Sequence, residues 1–237
     1  MIDILYQLKK KYRYIFSKKL YLSFGENCLT DNILDRYNIK SFTTVYSHGR
    51  SNIEYIIQIE KDNYKDFLNT EFIKYEELND KQQVPRLKKY DKITNSYYSL
   101  HTNGFEFTHH DVIGNEYLRI KFKERIDRLK RCKGSKEIII FYHHRYNEST
   151  NMNKLLEDLS ELGQLYSKGK NKAQVVLFCQ KKIGRTTERK LEYKIEQNIH
   201  IFMFNTLNIW AGDDPEILWA KCDNDLIEEM IAKVKEL

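Results

Sequence analysis

The chain has 237 residues, of which 41% are hydrophobic and 31% charged, with only 9 Gly and 2 Pro. These proportions exclude a disordered or fibrous protein and leave ample apolar material for one sizeable core. The formal net charge of +6 suits a soluble protein that meets anionic small molecules, nucleic acid or a membrane face, without choosing among them.

Taken in chain order, Ile4, Leu5, Leu8, Tyr12, Ile15 and Phe16 recur at helical spacing, with Lys9, Lys10, Lys11 and Arg13 on the other face. We read residues 1–18 as an amphipathic N-terminal helix, its basic face either solvated or laid on an anionic membrane surface. Residues 19–24 (KLYLSF) predict a strand, broken by Gly25, after which residues 26–34 start a helical pattern. Ser51 and Glu54 fit a capping box ahead of Ile53, Ile56 and Ile57. Residues 61–103 are polar and read as an irregular insertion with short elements, including residues 72–75. Residues 105–109 alternate as a strand end, and Leu118, Phe122, Ile126 and Leu129 form one helical stripe.

Residues 137–142 (EIIIFY), 173–179 (AQVVLFC) and 199–204 (IHIFMF) predict buried strands, with helices expected over 153–166, 187–197 and 225–237. Near-continuous apolar strands alternating with helices predict a single α/β domain over residues 1–237, a mostly parallel sheet with helices on both faces. No run approaches 18 apolar residues, and the N-terminus lacks a secretory pattern, so a cytoplasmic location is expected. The four cysteines, at 28, 132, 179 and 222, are irregularly spaced and read as reduced thiols rather than disulfides or a zinc site.

Ligands of open parallel sheets bind where strand ends turn into helices. Gly25, Glu26, Asn27 and Cys28 occupy such a junction. A thiol at a helix N-terminus is expected to be lowered toward thiolate. Free backbone N–H groups and the Asn27 amide could hold an oxyanion there, and Gly25 would permit the sharp turn. A buried, inert cysteine is the plain alternative.

The segment Leu22-Ser23-Phe24-Gly25-Glu26-Asn27-Cys28 resembles the SLGxNC signature of a bacterial family of papain-like cysteine peptidases whose members often sit among surface-polysaccharide genes. Residues 103–111 (NGFEFTHHD) resemble that family's glycine-aromatic segment ending in His-Asp, and residues 123–129 (KERIDRL) its arginine-bearing helix. The likeness spans roughly Lys19 to Trp219. It departs where the family usually has Pro-Phe-Asp-Trp and this chain has Val45-Tyr46-Ser47-His48-Gly49-Arg50. The resemblance implies a Cys28 nucleophile with His110 as base. Strand alternation instead puts His109 and Asp111 on one face with Phe105 and Phe107, so both histidines stand as candidates. Asp111 is a candidate orienting carboxylate, with Asp213 and Asp214 as substitutes.

Ser47, His48 and Arg50 lie in a turn-forming cluster. Arg50 suits a phosphate or carboxylate clamp, and His48 is an alternative base; a plain helix cap led by Ser51 is the competing account. Arg125 and Arg128 could meet an anion or simply face solvent. His143, His144 and Arg145 follow the strand at 137–142 and so fall near a possible cleft. Trp210 and Trp219 read as core or as a stacking surface. No metal-binding pattern, dinucleotide loop or P-loop occurs, and no nucleic-acid recognition motif.

We therefore expect a Cys/His-dependent acyl-transfer enzyme, with acetyl transfer in surface or capsular polysaccharide biosynthesis ahead of papain-like hydrolysis. A non-catalytic carbohydrate- or nucleotide-binding module is the alternative from another class. No permanently bound cofactor is expected. Coenzyme A or acetyl coenzyme A is a possible donor, bound near Arg50, Lys181, Lys182 and Arg185, and the partner is a small-molecule or saccharide substrate. A peripheral contact with the inner membrane face is compatible with the N-terminal helix.

Overall fold

The computed structural model describes residues 14–79 and 82–237. A five-stranded sheet has the order β1-β5-β6-β8-β7, built from β1 (Lys19–Gly25), β5 (Glu137–His144), β6 (Ala173–Lys182), β8 (Ile199–Thr206) and β7 (Lys190–Glu196). The first four pair in parallel, and β7 runs antiparallel along the β8 edge. Alternate side chains of each parallel strand feed opposite cores. Leu20, Leu22 and Phe24 of β1 with Ile138, Ile140 and Tyr142 of β5 meet α2 (Ile53–Lys61), α3 (Glu116–Cys132) and α4 (Met152–Tyr166). Ile139, Phe141, Val176, Phe178, Phe202 and Phe204 point the other way, onto α1 (Leu29–Arg36) and α6 (Asn224–Lys235). The protein is thus a single α/β domain with a mostly parallel sheet covered by helices on both faces, as the apolar strands predict. No helix among the described residues is long and apolar enough to cross a membrane.

Four local readings are corrected. Residues 187–197 do not form a helix: residues 190–196 are β7, joined to β8 through Gln197 and Asn198, both with positive φ (50° and 63°). The period-2 alternation of Leu191, Tyr193 and Ile195 before a two-residue turn is the hairpin signal that charge content obscured. The cap of α2 is Asn52, whose side chain accepts from Tyr55 N at 3.0 Å, not Ser51. Glu54 does not close a capping box; it accepts from Thr94 N, Asn95 N and Tyr97 Oη at 2.7–3.1 Å. Within residues 61–103, β2 (Ile73–Asn79) and β3 (Gln82–Leu87) form an antiparallel hairpin, extended by the two-residue β4 (Phe105–Glu106) into a second sheet. The strand expected over 105–109 therefore ends at Glu106, and the chain turns at Thr108 and His109. Of the expected N-terminal helix, residues 14–16 are helical and residues 1–13, with the basic face, lie outside the described residues.

Candidate active site

The β1–α1 junction is fixed by backbone sterics. Gly25 has φ +137°, and a Cβ there would lie 3.0 Å from His143 N, 3.1 Å from His143 O and 3.2 Å from Thr30 Oγ1. Only glycine lets β1 end this close to β5. Cys28 then caps α1: its carbonyl accepts from Asn32 N at 3.0 Å. The Asn27 Oδ1 takes the Leu29 N–H at 3.0 Å, so one helix-end donor is already satisfied and the amide nitrogen is what Asn27 offers the cleft.

Glu26 anchors this turn from beneath. Its carboxylate is fully buried, accepts from His144 Nδ1 at 2.5 Å and from Arg145 N at 3.0 Å, while His144 Nε2 meets Thr150 Oγ1 at 3.1 Å. Burial raises the Glu26 pKa, but the charge and hydrogen bond of His144, the charge of His101 and the Arg145 N–H outweigh it, bringing it down to about 2.

Cys28 is half-buried and opens onto two adjoining clefts. The first, of about 460 Å³, is lined by Asn27, Arg50, His101, His109, Arg145 and Trp219, with Asp213 among its residues. The second, of about 580 Å³, holds Asp31, Lys40, His48, His109 and Trp219. The helix end does not leave Cys28 as a thiolate. Burial, then the Asp31 and Glu106 carboxylates, raise it to about 11, against the opposing charge of Arg50. The resting group is a thiol, which needs a base at the moment of attack.

His109 lines both clefts, because the turn after β4 swings it out of the core face that Phe105 and Phe107 keep. His110 lines neither: its ring packs edge-on against Phe122 at 5.2 Å, its Nδ1 has no partner, and burial with the neighbouring Arg125 charge lowers it to about 4. Arg125 stacks over that same Phe122 ring. His48 lies 5.9 Å from His110 by ring centroids and holds its Nε2 3.7 Å from Asp31 Oδ2. Burial lowers His48, with Asp31 opposing, so it is a neutral acceptor near pH 7. Asp31 is itself buried between Ser23 Oγ at 3.0 Å and Lys40 Nζ at 2.5 Å.

Asp111 is spent elsewhere, accepting from Tyr75 Oη at 2.7 Å, Gly114 N at 2.9 Å and Ile113 N at 3.1 Å. Ser47 is buried under the turn on Ser23 Oγ and Thr44 N. Asp214 caps the short helix α5 (Pro215–Leu218) through Glu216 N. His143 is buried and stacked on Phe178, and burial lowers it to about 3. Trp210 is core, its Nε1 donating to Asp223 Oδ2 at 2.8 Å, and Trp219 lines both clefts. Lys181, Lys182 and Arg185 line neither.

Arg50 pairs by its backbone with Glu106 and by Nη1 with Glu106 Oε1 at 3.1 Å. The same buried carboxylate binds Arg86 Nη2 and accepts from Thr108 Oγ1 at 2.8 Å. Asp31, Glu106 and His101 carried no sequence signal of a site. The one hint is Glu106 itself, a carboxylate between two core aromatics, which has to find a cation when buried. Among the described residues no group of three or more His, Cys, Asp or Glu side chains is arranged to hold a metal ion.

A cysteine at a helix start, at the C-terminal end of a parallel strand, beside imidazoles in an open cleft, defines an α/β protein of the cysteine-enzyme class. Residues 19–182 match the family described as "putative papain-like cysteine peptidase", and the chain belongs to that family. No curated protein and no solved structure matches the chain.

Proposed function

We propose that the protein is an acyl-transfer enzyme in which Cys28 forms a thioester intermediate. The observation that carries this reading is the position of Cys28 on the strand–turn–helix junction, in two clefts that also hold His109 and the His48–Asp31 pair. His48 is our choice of base, because it is the imidazole with a carboxylate to orient it; apo distances of this kind tighten when substrate binds. His48 takes the Cys28 proton as sulfur bonds the carbonyl carbon of the donor. Asn27 Nδ2 and the helix-end N–H groups face the oxygen that becomes negative. As the tetrahedral intermediate collapses, the imidazolium returns the proton to the leaving group. An acceptor hydroxyl then attacks the thioester, gives its proton to the imidazole, and the thiol is regenerated.

The acceptor we favour is a saccharide hydroxyl in surface or capsular polysaccharide assembly, with acetyl coenzyme A or a related thioester as donor. Water as acceptor, on an amide or peptide substrate, is the second reading, and the family's description favours it. A cytoplasmic site of action fits either. Intact-mass analysis after incubation with acetyl coenzyme A tests the choice. One added acetyl group in the parent and none in Cys28→Ala supports transfer. Cys28-dependent cleavage of a peptide library without acetyl uptake supports hydrolysis, and the absence of both removes the enzyme reading. His48→Ala is expected to abolish acylation, with His110→Ala close to the parent; loss in His109→Ala alone would move the base to His109.

A further inference from the structure

The first Cys28 cleft contains more positive charge and more unused hydrogen-bonding capacity than a thiol reaction needs. Arg50 and Arg145 both line it. Burial lowers the Arg145 pKa, the buried Glu26 carboxylate opposes it, and the nearby charge of Arg50 adds a smaller lowering. Arg50 engages Glu106 through Nη1 alone, and Glu106 is shared with the buried Arg86. Arg145 has no carboxylate within ion-pair distance among the described residues. Its Nη2 reaches the Trp210 carbonyl at 3.4 Å, and its guanidinium sits 5.8 Å from the Tyr98 ring centroid. Asp213, on the exposed loop, is the acidic residue of the lining.

His101 is the second, independent observation. It lines the same cleft and is 1% exposed, yet neither ring nitrogen has a hydrogen-bond partner. Its backbone is clamped, the N–H donating to Tyr98 O at 2.8 Å and the carbonyl accepting from Asn52 Nδ2 at 2.6 Å, while the ring is packed away from solvent. Burial, with Arg145 and Arg50 adding to it and Glu26 opposing, lowers His101 to about 4. The ring is therefore neutral at pH 7 and has one N–H to donate. A buried polar group without a partner is destabilising, and a ligand acceptor at this position removes that cost.

We propose that Arg50, His101 and Arg145 form an oxyanion-group subsite, taking the phosphate or carboxylate of a substrate whose acyl carbon meets Cys28. Two guanidinium forks offer parallel N–H pairs to planar or tetrahedral oxygens, and the imidazole N–H supplies a fixed third donor. The subsite rests on the assignment of Cys28 as the reacting group only in calling its ligand a substrate.

The test uses full-length Cys28→Ala protein, which has no nucleophile, titrated calorimetrically with inorganic phosphate and, separately, with acetate. We expect one saturable, salt-sensitive site, and the tighter of the two anions names the ligand class. Arg145→Gln is expected to weaken binding about tenfold, the loss of one charge-assisted contact, and His101→Asn by a smaller factor. Because Arg50 also holds Glu106, Arg50→Lys is the variant of choice there, with its thermal unfolding compared to the parent. Affinity unchanged in Arg145→Gln, or no saturable site for either anion, overturns the subsite. If Cys28 takes no acyl group yet phosphate binds as described, the enzyme reading falls and the subsite stands. If Cys28 acylates and neither anion binds, the reverse holds.

Discussion

Replacing Glu26 by Gln tests how the buried Glu26–His144 pair supports the cysteine turn. Above its unfolded value of 4.5 the parent carboxylate is ionised in both states, and its folded-state preference for ionisation is fully expressed as stability. That stability is lost as pH falls from 4.5 through the folded value of about 2. A depression of this size corresponds to on the order of 3 kcal/mol. The amide is nearly isosteric and can be accommodated at neutral pH. Its oxygen accepts the Arg145 N–H, its NH₂ donates to His144 Nδ1, and the imidazole, neutral and protonated on Nε2, donates to Thr150 Oγ1. That hydroxyl, which also accepts from Asn147 N at 3.1 Å, has a lone pair for it. Glu26→Gln should therefore fold. Its urea unfolding free energy should lack the Glu26 share of the acid-limb decline that separates the parent at pH 7 from the parent near pH 3. The difference between the two pH curves reports the Glu26–His144 pair, since every other carboxylate is common to both. Parallel curves would refute the coupling.

Three other outcomes are expected. The alkylation rate of Cys28 by iodoacetamide, followed by mass spectrometry, should climb through neutral pH toward about 11; Asp31→Asn should shift the profile down. A plateau near pH 7 in the unliganded parent would contradict the effect of burial. Gly25→Ala, with φ +137° and backbone atoms of His143 at 3.0–3.1 Å from the new Cβ, should cost about 1–3 kcal/mol and lower Tm by circular dichroism, about 2–4 °C per kcal/mol; an unchanged Tm would mean that the turn accepts a side chain. Glu60, fully buried, accepts from Tyr46 at 3.0 Å, Tyr166 at 2.7 Å, Tyr64 and Lys133 at 2.6 Å. Glu60→Ala should cost about 3–5 kcal/mol, and more than Lys133→Ala, whose side chain is 24% exposed; equal losses in chemical denaturation would argue against the hub.

The parallel sheet was legible because its strands are buried on both faces and read as unbroken apolar runs, as at residues 137–142 and 173–179. β7 was not, because an edge strand keeps charges on alternate positions. Lys190 with Glu192, and Lys194 with Glu196, pair along it and imitate an exposed helix. In the site, Cys28 could be read from the Gly25 break followed by helical spacing, both local features. His101, Asp31 and Glu106 could not, since each is held by residues of other elements or loops. Asn52 holds the carbonyl of His101, Lys40 and His48 meet Asp31, and Arg50 and Arg86 converge on Glu106. The choice between His109 and His110 turned on a strand that stops two residues after it starts, an ending that alternation does not mark.

The cysteine strand lies at one border of the large sheet, with β5 as its neighbour there, Lys19 opposite Glu137 through Gly25 opposite His143. About 110 residues separate β1 from its hydrogen-bonding partner β5, and Trp219, which walls both clefts, lies further along the chain still. Such distant pairings are slow to form because the intervening chain has to be closed into a loop first. The cleft around Cys28 is consequently built from contacts made across most of the described chain, and a product truncated before β5 would present Cys28 without it.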